Sequence, residues 1–131
     1  MEDKKIQFGK KVFELTIPSL PPTDNHLYGQ RGKIKFMYPE GKKWKQEVYD
    51  LAKSNYGGQI LEQNLEADVW IYFKRDRDVH GGLKVLFDAF EGVLYKNDKQ
   101  IRDQHSHKRK NDISKINPFI IVKFYETDSN N

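Results

Sequence analysis

The stretch LEADVWIYFKRDRDVHGGLKVLFDAF, residues 65–90, decides how this chain folds. Leu65 to Phe73 reads as a strand, apolar on both faces from Val69 onward, which is the pattern of an interior strand. From Leu83 the period changes. Leu83, Leu86, Phe87, Phe90 and Leu94 form one helical stripe. Two arginines, two aspartates and a histidine (Arg75 to His80) crowd the junction between strand and helix. Gly81 and Gly82 follow. They are poor helix formers, but suit a place where the backbone turns tightly or approaches something closely.

Working outward, VFELTI (Val12 to Ile17) alternates as a strand, and the prolines of PSLPPTDNH end it. KIKFMY (Lys33 to Tyr38) reads as a second, half-exposed strand. Pro39 can open a helix, with Trp44, Val48, Leu51 and Ala52 at helical spacing and YGGQ closing it. Beyond residue 94, YKNDKQI reads as a turn leading to a strand-like stretch near Ile101. KRKND reads as a polar loop, and PFIIVKFYE as a last strand. The expected fold is α+β: one small domain over 1–131, its core roughly 12–125. It has a mixed β-sheet with two main helices in the order β-β-α-β-α-β-β.

The 131 residues suffice for one core, and no cysteine is present. Disulfides, cysteine-ligated zinc and thiol nucleophiles are therefore excluded. The sequence MEDKKIQFGKK lacks the apolar run of a signal peptide, and no window approaches the roughly 20 apolar residues of a membrane helix. The expectation is a cytoplasmic protein without a membrane partner or small-molecule cofactor. A net charge of +4 permits a nucleic-acid partner.

Candidate chemistry gathers around the charged junction. Were the strand to continue, Asp76, Asp78 and His80 would share one face. A β-α-β return could bring Asp98 near Asp78. Clustered carboxylates call for a neutralising cation, and oxygen donors suit Mg²⁺ or Mn²⁺, with imidazole a further donor for Mn²⁺. Phosphoryl transfer is the chemistry that uses such a site. Lys84, six residues after Asp78, could reach the cluster and bind phosphate. Asp88 lies at i+4 from Lys84 and could hold it in place. The competing interpretation is a solvated turn with weak surface ion pairs. A second feature is basic: six Lys or Arg stand between Arg31 and Lys45 against one acid, interleaved with Phe36, Tyr38 and Trp44. Lys33, Lys35 and Lys43 belong to it, and Lys108 and Arg109 to another run. Such residues could contact phosphates; a solvated basic face is the alternative.

Several segments in order resemble the RusA family of Holliday junction resolvases. RDVHGGLKVLFDAFEGVLYKNDKQI is similar to its signature: an acidic pair, a lysine shortly after, a Leu-Phe-Asp-Ala helix and a closing segment ending in Gln-Ile. FELTIPSLPPTDNHLY resembles its opening strand and Pro-Pro-x-x-Asn turn, and KWKQEVYDLAK its first helix. The resemblance covers roughly residues 12 to 125. It implies a small homodimeric endonuclease, of a kind often found in bacteria and their prophages, that cuts four-way or branched DNA with Mg²⁺ or Mn²⁺ in recombination and repair. Carried over by position, Asp78, Lys84, Asp88 and Asp98 would be catalytic. Asp78, His80 and Asp98 would hold the metal, and Arg77 would contact DNA. Asp76 matches no signature acid in this register. His80 stands where a second aspartate is expected, Gly81 where asparagine is expected, and Asn97 where the first closing acid is expected. A second register, pairing Asp76 with Asp78, needs a two-residue insertion before Lys84. Because of His80 and Asn97, a branched-DNA-binding protein that cuts poorly is the alternative function. An unrelated α+β module is a third.

Overall fold

The computed structural model describes residues 9–75, 80–110 and 117–127, and the backbone alone of His80. The elements are β1 (Lys11–Ile17), α1 (Asp24–Leu27), β2 (Tyr28–Arg31), β3 (Ile34–Met37), α2 (Pro39–Asn55), β4 (Leu65–Phe73), α3 (His80–Ala89), a 3-10 turn (Asp98–Gln100), β5 (Ile101–Lys110) and β6 (Phe119–Glu126).

Four strands form a mixed sheet in the order β1-β6-β4-β5. The strand expected to be interior is interior. β4 pairs antiparallel with β6 on one side and parallel with β5 on the other. Leu65, Ala67, Val69 and Ile71 point to a face with no solvent access, where they meet Val122 and Phe124 of β6, Val48 and Ala52 of α2, and Leu86 and Phe90 of α3. Two layers, helices on one sheet face, bury the stripe that each element carries. Among the described residues, no helix is long and apolar enough to cross a membrane.

Three local readings change. Tyr28–Arg31 is a strand, and it pairs with Ile34–Met37 in a separate hairpin, so the KIKFMY strand lies outside the main sheet. Lys33 lies in the hairpin turn beside Gly32, whose φ of 62° suits glycine. KRKND is not a loop throughout. Lys108, Arg109 and Lys110 complete β5, drawn into the sheet by pairing with Ile71, Tyr72 and Phe73. Residues 111 and 112 lie outside the described residues. Nor does β4 run on to the histidine, since it ends at Phe73 and His80 opens α3.

The glycine pair at the start of α3 has an identifiable neighbour. A methyl at Gly82 would overlap the Pro21 ring, and one at Gly81 would stand 2.6 Å from Asp24 Oδ1. The Gly81 N–H donates to that same oxygen at 3.2 Å. The close approach is thus to the Pro-Pro-x-x-Asn turn. Two separate segments of the family pattern meet there.

Candidate functional site

The site grows from the exposed side of α3. Lys84 and Asp88 are one helical turn apart, and Lys84 Nζ donates to Asp88 Oδ1 at 2.9 Å. The chain then leaves the helix and returns through the 3-10 turn, which places Asp98 against the same lysine at 2.6 Å. Buried Tyr95 fixes this return, its hydroxyl donating to the Phe87 carbonyl at 2.7 Å. The turn is secured by its own residues. Asn97 Oδ1 accepts from the Lys99 N–H at 2.8 Å. Gln100 Oε1 accepts from the Lys96 N–H at 3.0 Å, while its Nε2 donates to the Leu61 carbonyl at 2.9 Å. Asn97, a departure from the family signature, therefore caps the turn, and the signature glutamine ties it to the segment before β4.

Asp88, Glu91 and Asp98 bring carboxylate oxygens within 4.8 Å of one another, all half-buried. Glu91 Oε2 also accepts the Asp98 N–H at 2.9 Å and so orients that aspartate's backbone. The electrostatics follow from the lysine. Its hydrogen bond holds the Asp98 carboxyl below the usual carboxylate range. Asp98 first, then Asp88, raise the Lys84 ammonium above the ordinary lysine value. Burial pushes the neighbouring Tyr28 phenol up, and the Asp88 charge adds to it.

Two clefts flank the carboxylates. One, of about 230 Å³, is lined by Leu83, Lys84, Phe87, Asp98, Ile101 and Gln104. The other, of about 470 Å³, joins Asp88 and Glu91 to Lys42, Lys45 and Tyr49 of α2.

A family model described as endodeoxyribonuclease RusA matches residues 18–123. The chain belongs to the RusA family. That makes it a member of a family of endodeoxyribonucleases. A comparison with curated proteins returns no match.

Within the RusA frame, the structure brings together Lys84, Asp88 and Asp98 of the expected catalytic residues. Arg77 and Asp78 lie outside the described residues, as does the side chain of His80. Lys108 and Arg109 stand at the end of β5, and Lys35 on β3. Lys43 does not line the cleft beside the carboxylates; Lys42 and Lys45, on another face of α2, do. Glu91 went unread in the sequence. Its signal was there, an acid three residues after Asp88, but a helix running on to Leu94 made it one more solvated position. The helix instead ends at Ala89, and the chain turns Glu91 toward Asp98.

Proposed function

We propose that the chain is a divalent-metal-dependent endonuclease that cuts four-way (Holliday) or branched DNA by paired hydrolysis of phosphodiester bonds, in recombination or repair. The observation that carries this reading is the clustering of Asp88, Glu91 and Asp98, two of them paired with Lys84, in a chain of the RusA family.

The donor chemistry fits the cation that the family implies. Three half-buried carboxylates offer hard oxygen ligands of the kind Mg²⁺ and Mn²⁺ take. Asp88, Glu91 and Asp98 would hold the ion, together with Asp78 and His80 from the sequence. Once bound, a divalent ion stabilises the negative charge that grows on a phosphate under attack. The rest is work for the chain's own groups. Lys84 keeps its charge at neutral pH and is 60% exposed, so its ammonium can swing from Asp98 to a phosphate oxygen. Asp88 steadies it from one turn away. An imidazole at His80 in place of a carboxylate lowers the negative charge and favours Mn²⁺ relative to Mg²⁺. Arg77, Lys33, Lys35, Lys43, Lys108 and Arg109 would contact DNA phosphates, which position a nucleic acid without reading its bases. Paired incision needs two centres, and a two-fold homodimer supplies them.

The test is cleavage of a synthetic four-way junction beside linear duplex of the same sequence, in Mg²⁺ and in Mn²⁺. Wild type should place paired nicks in the junction alone. Asp98→Asn and Asp78→Asn should each lose at least about 100-fold in cutting rate, the size expected when charge stabilisation is removed. Both should still retard the junction in chelator. If wild type retards the junction and leaves it uncut in either metal, a branched-DNA-binding protein replaces this reading.

A further inference from the structure

Parallel pairing has a geometric result at the far end of β4. Phe73 lies in register with Lys110, so both strands finish at the same edge of the sheet. The chain leaving β4 there is Lys74-Arg75, and the end of β5 is Lys108-Arg109-Lys110. Five cationic residues from two distant segments thus line one cleft of about 540 Å³, with Phe73 at its base. An antiparallel β5 would have put its basic run at the opposite end.

The cleft continues. Lys74 and Arg75 also line a neighbouring space of about 620 Å³ that runs past Pro18, Ser19 and Pro118. No acidic residue lines either space among the described residues. The cations reach both sides of the sheet's end. Lys108 Nζ stands 5.2 Å from the Phe73 ring centroid, and the Arg109 guanidinium 5.0 Å from the centroid of Trp70. These contacts restrain the two side chains at the mouth. The chemistry inside the groove is narrow. Among the described residues, its lining offers ammonium and guanidinium donors and no carboxylate to accept from a base amino group, and Phe73 is buried beneath Lys108 rather than free to stack.

We propose that this groove, formed by Lys74, Arg75, Lys108, Arg109 and Lys110, binds the phosphodiester backbone of a DNA arm independently of its base sequence and of any metal. The inference rests on the DNA-cutting reading above and adds the surface that holds an arm away from the carboxylates.

Binding is measured in chelator, by retardation of the four-way junction and of a second junction of unrelated sequence, across a salt series. The double variant Lys74→Glu/Lys110→Glu is compared with Lys10→Glu/Lys53→Glu, which makes the same charge change on exposed lysines away from both the groove and the carboxylates. The groove variant should bind both junctions at least about tenfold more weakly, and its slope of log affinity against log salt should flatten by about 2, near 0.9 for each phosphate no longer neutralised. The control should change less than about threefold. The neutral pair Lys74→Gln/Lys110→Gln should flatten the slope equally while weakening binding less. That pair separates the missing cations from misfolding of the charge-reversed protein. Equal weakening by groove and control variants, or normal binding by the groove variant, overturns the inference and leaves the endonuclease reading standing. Wild type that retards neither junction overturns both. Weakening confined to one junction sequence overturns the claim of sequence independence.

Discussion

On the sheet, Glu66 and Asp68 are nearly closed off from solvent, 8% and 5% exposed, and each meets an imidazole from β5: Glu66 with His105 and Asp68 with His107, both at 2.7 Å. Beside α3, Asp88 and Asp98 meet a lysine at similar distances, yet their side chains are 21% and 22% exposed and the lysine is 60% exposed. The distances do not separate the two clusters; exposure and saturation do. Asp68 also accepts from Trp70 Nε1 at 2.9 Å, and that indole stacks on His107 with ring centroids 4.0 Å apart. Both Asp68 oxygens are committed, under a lid of flat rings. Lys84 is a long chain in water holding two acids that also have a third beside them. The first cluster is suited to fixing β5 on β4, the second to exchanging one cation for another.

Lys84→Ala puts the sharpest strain on that contrast. Cutting of the junction should fall by about 100-fold or more, the loss expected when the charged group proposed to meet the phosphate is removed. Mn²⁺ titrated against the same variant should bind severalfold tighter, because the competing ammonium is gone. Cutting that persists unchanged would make Lys84 a surface counterion and remove the difference between the clusters.

Asp68→Asn tests the other side. The amide keeps the shape but loses the charge and one of the two acceptor oxygens that meet His107 and Trp70. Stability should drop by about 1–3 kcal/mol in urea unfolding, while cutting per folded molecule stays within about threefold of wild type. A large loss of cutting with stability intact would move this pair into the reactive machinery.

The smallest effect concerns pH. In chelator, Asp98 has a folded-state pKa below its unfolded value. Its stabilisation is therefore complete above about pH 4 and is lost as acid is added below that. Lys84 is raised, so its share is complete below about pH 10 and is lost only in stronger alkali. Because Lys84 is largely in water, the effect on unfolding is small. Comparing wild type with Asp98→Asn by urea unfolding should give a gap constant from pH 5 to 9 that narrows toward pH 3. A gap that widens in acid would contradict the pairing.

Much of this could be read from residues alone, for reasons that also explain the rest. β4 and β6 carry dense apolar patterns because both faces or one full face are packed, and Pro39 marks the start of α2 without ambiguity. β5 is a different case. IRDQHSHKRK has one apolar residue because it is an edge strand whose contacts with β4 on the sheet face away from the helices are imidazole on carboxylate, so hydrophobic period is silent about it. β2 is YGQR, a strand made by its hairpin partner rather than by its own pattern. Lys84, Asp88 and Asp98 were legible through helical spacing and the closing segment. Glu91 depended on where a helix stops, and the basic groove on which way β5 runs. Periodicity fixes neither.

The strand order has one more consequence, for the time before the protein acts. β6, late in the chain, lies between β1 and β4, with Lys11 opposite Tyr125 and Leu65 opposite Glu126. During synthesis, the first strand has no partner in the sheet until the segment near Phe119 has left the ribosome. Contacts this distant in sequence form slowly. A nascent chain stopped after Lys110 should remain protease-sensitive throughout. A nuclease assembled this way stays unarmed until β6 has been made.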